Sequence, residues 1–188
     1  CILARLNRAS IHMASGNAQD ALDDANVLLE LAPGLALAKL RRAEANMMLT
    51  NWEAAKDDLE VIIEDAPHHH HALTQLAACY ISMDRPEKAE APLNEALRLA
   101  PDHTDAWHQR GLLYLDWGRE EAALNDFEAA VRCDGSHLDA RLHIAAIHHE
   151  AKRFVEASGA WKGVLAIEPD HAVARRRKEE CEMAIATM

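Results

Sequence analysis

Residues 104–137 read TDAWHQRGLLYLDWGREEAALNDFEAAVRCDGSH, and this stretch sets the frame for the whole chain of 188 residues. Gly135 near its end belongs to a series with Pro33, Pro67, Pro101 and Pro169, each 34 residues after the last. With units begun at Ile2, Ala36, His70, Thr104 and Leu138, the eighth residue is Ala9, Ala43, Ala77, Gly111 and Ala145. The twentieth is Ala21, Ala55, Ala89, Ala123 and Ala157. Small residues at two fixed places per unit are what a close helix crossing demands, since a larger side chain there would hold the two helices apart. Each unit is therefore predicted to be a helical hairpin.

The register places helices at 3–15/18–31, 36–49/52–65, 70–83/86–99, 104–117/120–133 and 138–151/154–167. Gly16 and Gly118 fall in the turns, Pro86 falls at a first-turn position, and Asp102 and Asp170 are expected caps. Pro92 is expected inside a second helix, where its missing N–H should kink the helix. Residues 172–185 form one more helix, a solubilising cap with Ala174, Cys181, Ile185 and Met188 towards the stack and Arg175, Arg176, Glu179 and Glu180 towards water.

The unit quoted first resembles the tetratricopeptide repeat, W-x2-L-G-x2-Y, then A-x3-F, then P. Trp107, Gly111, Tyr114, Ala123 and Phe127 match it, with Arg110 and Gly135 in place of the usual Leu and Pro. The resemblance covers residues 2–171. Elsewhere Arg5, Lys39 and Arg141 stand where Trp107 stands, and Ala25, Leu59, Leu93 and Trp161 where Phe127 stands. What the resemblance implies is an all-α fold, a right-handed superhelical α-solenoid of antiparallel helix pairs. The chain would then be a single domain over 1–188, with repeats 2–35, 36–69, 70–103, 104–137 and 138–171 and the cap at 172–185.

Composition agrees. Apolar residues make up 49% of the chain and aromatics 4%, with only seven Gly and six Pro, which favours helix and excludes a β-sandwich or barrel. Twenty basic against 31 acidic residues give a net charge of −11, so nucleic acid and anionic membranes are repelled and a basic partner is favoured. No apolar run reaches the ~18 residues of a membrane span, and Cys1-Ile2-Leu3-Ala4-Arg5 carries no signal pattern. Cys1, Cys79, Cys133 and Cys181 form no CxxC and read as free thiols, which leans towards a reducing, cytoplasmic compartment. The chain starts with Cys and directly in a helical pattern, so a fragment or a trimmed numbering is expected. Ile2, Leu3 and Leu6 then await upstream repeats or another chain.

Catalysis has no foothold: G-x-S-x-G, GxGxxG and GxxxxGK[ST] are all absent, and no thiol has an evident activating neighbour. Among twelve His residues, the run His68–His71 cannot wrap one ion as a structural site does. His69, His103, His137 and His171 recur at the repeat period as turn or cap residues, and His143, His148 and His149 lack the HExxH spacing. No metal, cofactor or enzymatic activity is expected. Arg175-Arg176-Arg177-Lys178 precedes Glu179, Glu180 and Glu182 on one helix, a salt-bridged face rather than a nucleic-acid patch.

The resemblance further implies that first helices line a concave groove through repeat positions 2, 5, 6, 9, 12 and 13. Position 6 gives Asn7, Arg41, Gln75, Gln109, His143 and, in the cap, Arg177. This ladder of hydrogen-bond donors suits an extended peptide backbone. The family's carboxylate clamp for chaperone C-termini is missing: its places hold Leu6, Ser10 and Arg41, or Leu40, Glu44 and Gln75, or Thr74, Ala78 and Gln109. The amino-terminal end of the groove is apolar, with Leu3, Leu6, Met13, Leu37, Leu40, Met47 and Met48. The other end offers His108, Gln109, Asp116, His143, His149 and Glu150 beside Asp105 and Asp139.

The expected function is a non-catalytic protein-interaction module whose ligand is a basic or amphipathic peptide or partner helix. Binding should weaken near pH ~6 as the histidines protonate. The alternative is a self-assembling scaffold that associates through the uncapped first repeat. One pairing also stands out: Arg8, Arg42 and Arg110 appear with Asp24, Asp58 and Asp126, and where Leu76 or Ile144 replaces the Arg, Pro92 or Ala160 replaces the Asp. Ion pairs within these three units are predicted.

Overall fold

The computed structural model describes residues 2–188, so the Cys1 thiol lies outside the described residues. Among them are eleven α-helices, one 3-10 turn and no strand. The first unit, which runs to Pro101, holds α1 (Ile2–Ala14), α2 (Ala18–Leu31), α3 (Ala36–Met48), α4 (Trp52–Asp65), α5 (His70–Ser82), the 3-10 turn (Pro86–Lys88) and α6 (Glu90–Leu99). The second, from Asp102, holds α7 (Thr104–Asp116), α8 (Glu120–Cys133), α9 (Leu138–Glu150), α10 (Phe154–Ile167) and α11 (Ala172–Ala186). Within each unit every helix packs on its chain neighbours.

The small positions close these crossings. Ala9, Ala43, Ala77 and Ala145 are fully buried, as are all five alanines from Ala21 to Ala157 at the other position. At Gly111 there is no room for a side chain: a Cβ there would lie 2.7 Å from the Phe127 ring. Opposite the small residues sit Ala25, Leu59, Leu93, Phe127 and Trp161, all buried, so side chains of very different volume occupy one place in the pattern. They anchor separate core clusters, one on Leu59 and Ile62, one on Phe127, and one on Trp161 and Val164.

Each turn within a pair ends its first helix with a left-handed residue. Gly16 and Gly118 take φ of +76° and +68°, but Thr50, Asp84 and Lys152 adopt the same conformation at +61°, +59° and +56°. The backbone closes the motif in every case, for example Asn51 N–H to Asn46 C=O at 2.8 Å and Thr50 N–H to Met47 C=O at 3.0 Å. The non-glycine residues carry a conformational cost there.

The expected cap at Asp170 moves by one residue. His171 is the N-cap of α11, and its Nδ1 accepts the Ala174 N–H at 3.2 Å, while Asp170 pairs with Arg175. His69 and His137 cap α5 and α9 in the same way, and His103, not Asp102, holds the N-cap position of α7. Pro92 does not kink a helix either. The chain forms the 3-10 turn first and α6 starts at Glu90, so Pro92 falls in the first turn, where its absent N–H has no acceptor to miss. On α11, Ala174 and Cys181 are buried as expected, but Ile185 on its last turn is 37% exposed, and Met188, beyond the helix end at Ala186, is 95% exposed.

The predicted ion pairs all form. Arg8 grips Asp24 through two N–H groups, Arg42 grips Asp58 at 2.7 and 2.6 Å, and Arg110 grips Asp126 at 2.7 and 2.8 Å. The carboxylates are buried, but the guanidinium side chains are graded: 56% exposed at Arg8, 34% at Arg42 and 17% at Arg110. Arg110 also lies over the rings of Trp107 and Tyr114, 4.9 and 5.6 Å from their centres. Arg5 adds an unforeseen third contact to Asp24, at 2.9 Å.

Candidate interaction surface on the first helices

In the first unit the candidate residues divide between core and surface. Leu40 and Met47 are half-buried against the Leu59 cluster, and Leu6 is half-buried, whereas Asn7 and Met48 are exposed. Leu3 on α1 is 66% exposed, and Leu37 and Met48 on α3 are 43% and 46% exposed. Arg41 and Gln75 are not free donors: both bond to Glu44, Arg41 at 2.6 Å and Gln75 at 3.3 Å, so one carboxylate links α3 to α5. Glu44 entered the sequence reading only as a residue that breaks a clamp. Its spacing of three from Arg41 was the available signal.

In the second unit, His108 and His143 pack with His137 and Phe127. His143 stacks on the Phe127 ring at 4.7 Å and 15°, and the His108 ring lies 4.7 Å from His137 and 5.7 Å from His143. Burial pushes the His108 pKa down to about 4, assisted by His137 and His143 and opposed by Asp139 and Asp105. Burial also lowers that of His143. His108 therefore stays neutral at pH 6, and its expected charge change there is corrected: desolvation disfavours the imidazolium more than the nearby carboxylates favour it. Gln109 is half-buried and its Oε1 accepts no hydrogen bond, while Asp116 and Glu150 are exposed, as are Asp105 and Asp139.

Arg177, the last rung of the donor ladder, is also engaged. Its N–H points to His149 Nε2 at 3.1 Å and to Glu180 at 3.1 Å. Because guanidinium only donates, Nε2 must accept, which leaves the ring proton on Nδ1, 3.3 Å from Cys181 Sγ. This thiol–imidazole neighbour escaped the sequence reading, since the two residues are far apart in sequence and meet only when α11 packs. Cys181 is fully buried and burial raises its pKa; that of Cys79 is likewise pushed up to about 11, so both are poor nucleophiles. The basic run of α11 is neutralised locally: Arg176 lies 3.6 Å from Glu180 and Lys178 3.2 Å from Glu182.

One tetratricopeptide repeat model matches residues 37–69 and a second matches residues 76–142. The chain belongs to the tetratricopeptide repeat family. No curated protein matches it in sequence. Among solved structures it is similar to TTC0263, a thermophilic tetratricopeptide repeat protein of Thermus thermophilus, with a TM-score of 0.75 and 20% identity over 97% of this chain and 100% of that one. It is also similar to YrrB, described as having an unusual peptide-binding site, with a TM-score of 0.69 and 22% identity over 95% and 92% of the two chains. MamA matches with a TM-score of 0.75 and 19% identity over 87% and 96%. At such identities the likeness is one of fold. Tetratricopeptide repeat membership points to a protein-interaction or scaffold module, in a family that is typically non-catalytic. No helix among the described residues is long and apolar enough to cross a membrane.

Proposed function

We propose that this protein is a non-catalytic interaction module that holds a partner polypeptide segment on its first-helix faces. The observation that carries this reading is the exposure of Leu3, Leu37 and Met48 on α1 and α3, helices that bury Ala9, Ala38, Ala43 and Ala45 on their other sides. The unbranched, flexible Met48 beside leucine lets such a surface adapt to varied apolar partners. On the second unit, Asp105, Asp116, Asp139 and Glu150 on α7 and α9 favour a cationic segment. Fewer donors are available to a peptide backbone than the sequence suggests, because Arg41, Gln75 and Arg177 already serve Glu44, His149 and Glu180. The peptide-binding site described for YrrB gives the reading a precedent within the fold.

Fluorescence anisotropy with labelled amphipathic peptides tests it, one Lys-rich and one Glu-rich, at two salt concentrations. The Lys-rich peptide is expected to bind more tightly and to weaken as salt rises, and both amphipathic peptides are expected to lose affinity to Leu37→Gln and Met48→Gln. Equal binding of both peptides, or indifference to these substitutions, refutes the proposal. Because His108 stays neutral at pH 6, it is expected to contribute no change in affinity between pH 7.5 and pH 6.

A further inference from the structure

Tyr80 of α5 fills the space against α4. Its ring packs on the core of the first unit and its hydroxyl donates to Glu60 Oε1 at 3.1 Å. Tyr114, 34 residues later, occupies the corresponding place on α7 and lies against the guanidinium of Arg110. Thirty-four residues before Tyr80, however, stands Asn46, and 34 before Glu60 stands Asn26. The shorter side chain does not bridge the two helices: Asn46 Oδ1 accepts from Asn51 at 3.4 Å, and Asn26 Oδ1 accepts from Arg42 at 3.5 Å.

Where a ring sits in the later pairs, α2, α3 and α4 instead leave an open cleft of about 350 Å³, lined in part by Leu22, Asn26, Arg42, Asn46, Ala54 and Asp58. That volume falls at the lower end of the range for small-ligand sites. Two side chains report the missing ring. Asn46, 6% exposed, lines the cleft and reaches no partner across it among the described residues, accepting instead from Asn51 on the following turn at the long distance of 3.4 Å. Arg42, held edge-on by Asp58, is twice as exposed as Arg110, 34% against 17%.

We propose that this cleft is a docking pocket for a tyrosine side chain of a partner polypeptide. The chain itself supplies the template. A ring between Leu22 and Ala54 would rest on the Arg42 guanidinium, as Tyr114 rests on Arg110, and gain a cation–π contact. Its hydroxyl would meet the Asn26 carboxamide, as Tyr80 meets Glu60. None of the lining residues is a first-helix candidate, so the pocket stands or falls independently of that surface.

The test is an NMR titration of the isotope-labelled full chain with p-cresol, the tyrosine side chain alone, and with toluene, which lacks the hydroxyl. Saturable shifts are expected at the Asn46 side-chain NH2 and the Ala54 amide. Asn46→Tyr, which fills the cleft with its own ring, should abolish them and raise the melting temperature. Ala54→Trp blocks the rim from an exposed position, so it should abolish them without touching the core. Asn26→Ala should weaken p-cresol by about fivefold, the worth of one net hydrogen bond, and leave toluene unchanged. Shifts that do not saturate by about 10 mM, a millimolar affinity being the weakest that counts as a site, overturn the proposal. So do Ala54-region shifts that persist undiminished in both blocked variants, or equal affinity for p-cresol and toluene.

Discussion

Replacing Arg110 by Met tests the link between burial and the strength of the recurring ion pairs. In the fourth helix pair Asp126 is 4% exposed, both its oxygens are taken by Arg110, and the guanidinium is covered by the faces of Trp107 and Tyr114. Removing the cation strands a buried carboxylate, which costs about 3–5 kcal/mol; the lower end applies here because the Arg110 side chain keeps 17% exposure. For a chain of this size, about 3 kcal/mol lowers the melting temperature by roughly 6–12 °C. Arg42→Met should cost less, since that guanidinium is more exposed and uncovered by rings. Arg8→Met should cost least, because Arg8 is exposed and Arg5 remains to hold Asp24.

The double substitution Arg110→Met with Asp126→Leu should recover most of the loss, because the stranded charge is gone. The third and fifth pairs already use that solution, Leu76 with Pro92 and Ile144 with Ala160. The assay is urea denaturation followed by circular dichroism and tryptophan fluorescence, with the coupling taken from the double-mutant cycle. If the three single substitutions shift the midpoint equally, or the double variant is no more stable than Arg110→Met, burial does not set the strength of these pairs.

Thr50→Gly should stabilise the protein by about 1 kcal/mol, since a β-branched residue at φ +61° is strained and glycine is not; an unchanged or lower midpoint in urea counts against it. Gly111→Ala should destabilise by about 1–3 kcal/mol, because the new Cβ meets the Phe127 ring, whereas Gly159→Ala, where a Cβ meets nothing, should be neutral or stabilising. Stability should fall with acid in two stages. His108 has a pKa depressed to about 4, so its contribution is complete above the unfolded value of ~6.5 and is lost as pH falls from there towards 4. Asp24, held below its ordinary value chiefly by the Arg8 hydrogen bonds, loses its contribution only below the unfolded value of ~3.9. His108→Gln should flatten the upper stage and leave the lower one, as read from urea midpoints across pH.

The sequence alone determined the spacing of the helices, their small crossing residues and the Arg–Asp partners that appear and disappear together. Each of these repeats every 34 residues and depends on backbone geometry, which a linear pattern records. The tertiary structure decided what chain order does not carry. Pro92 was tolerated by starting α6 later, and Thr50, Asp84 and Lys152 accepted a left-handed turn that their residue types disfavour, because closing the hairpin outweighs the local cost. Glu44 reached Gln75, and His149 reached Cys181 and Arg177, only when helices distant in sequence came into register. His108 lost its response near pH 6 for the same reason: the charge of an imidazole depends on the water around it, and packing against Phe127 decides how much water remains.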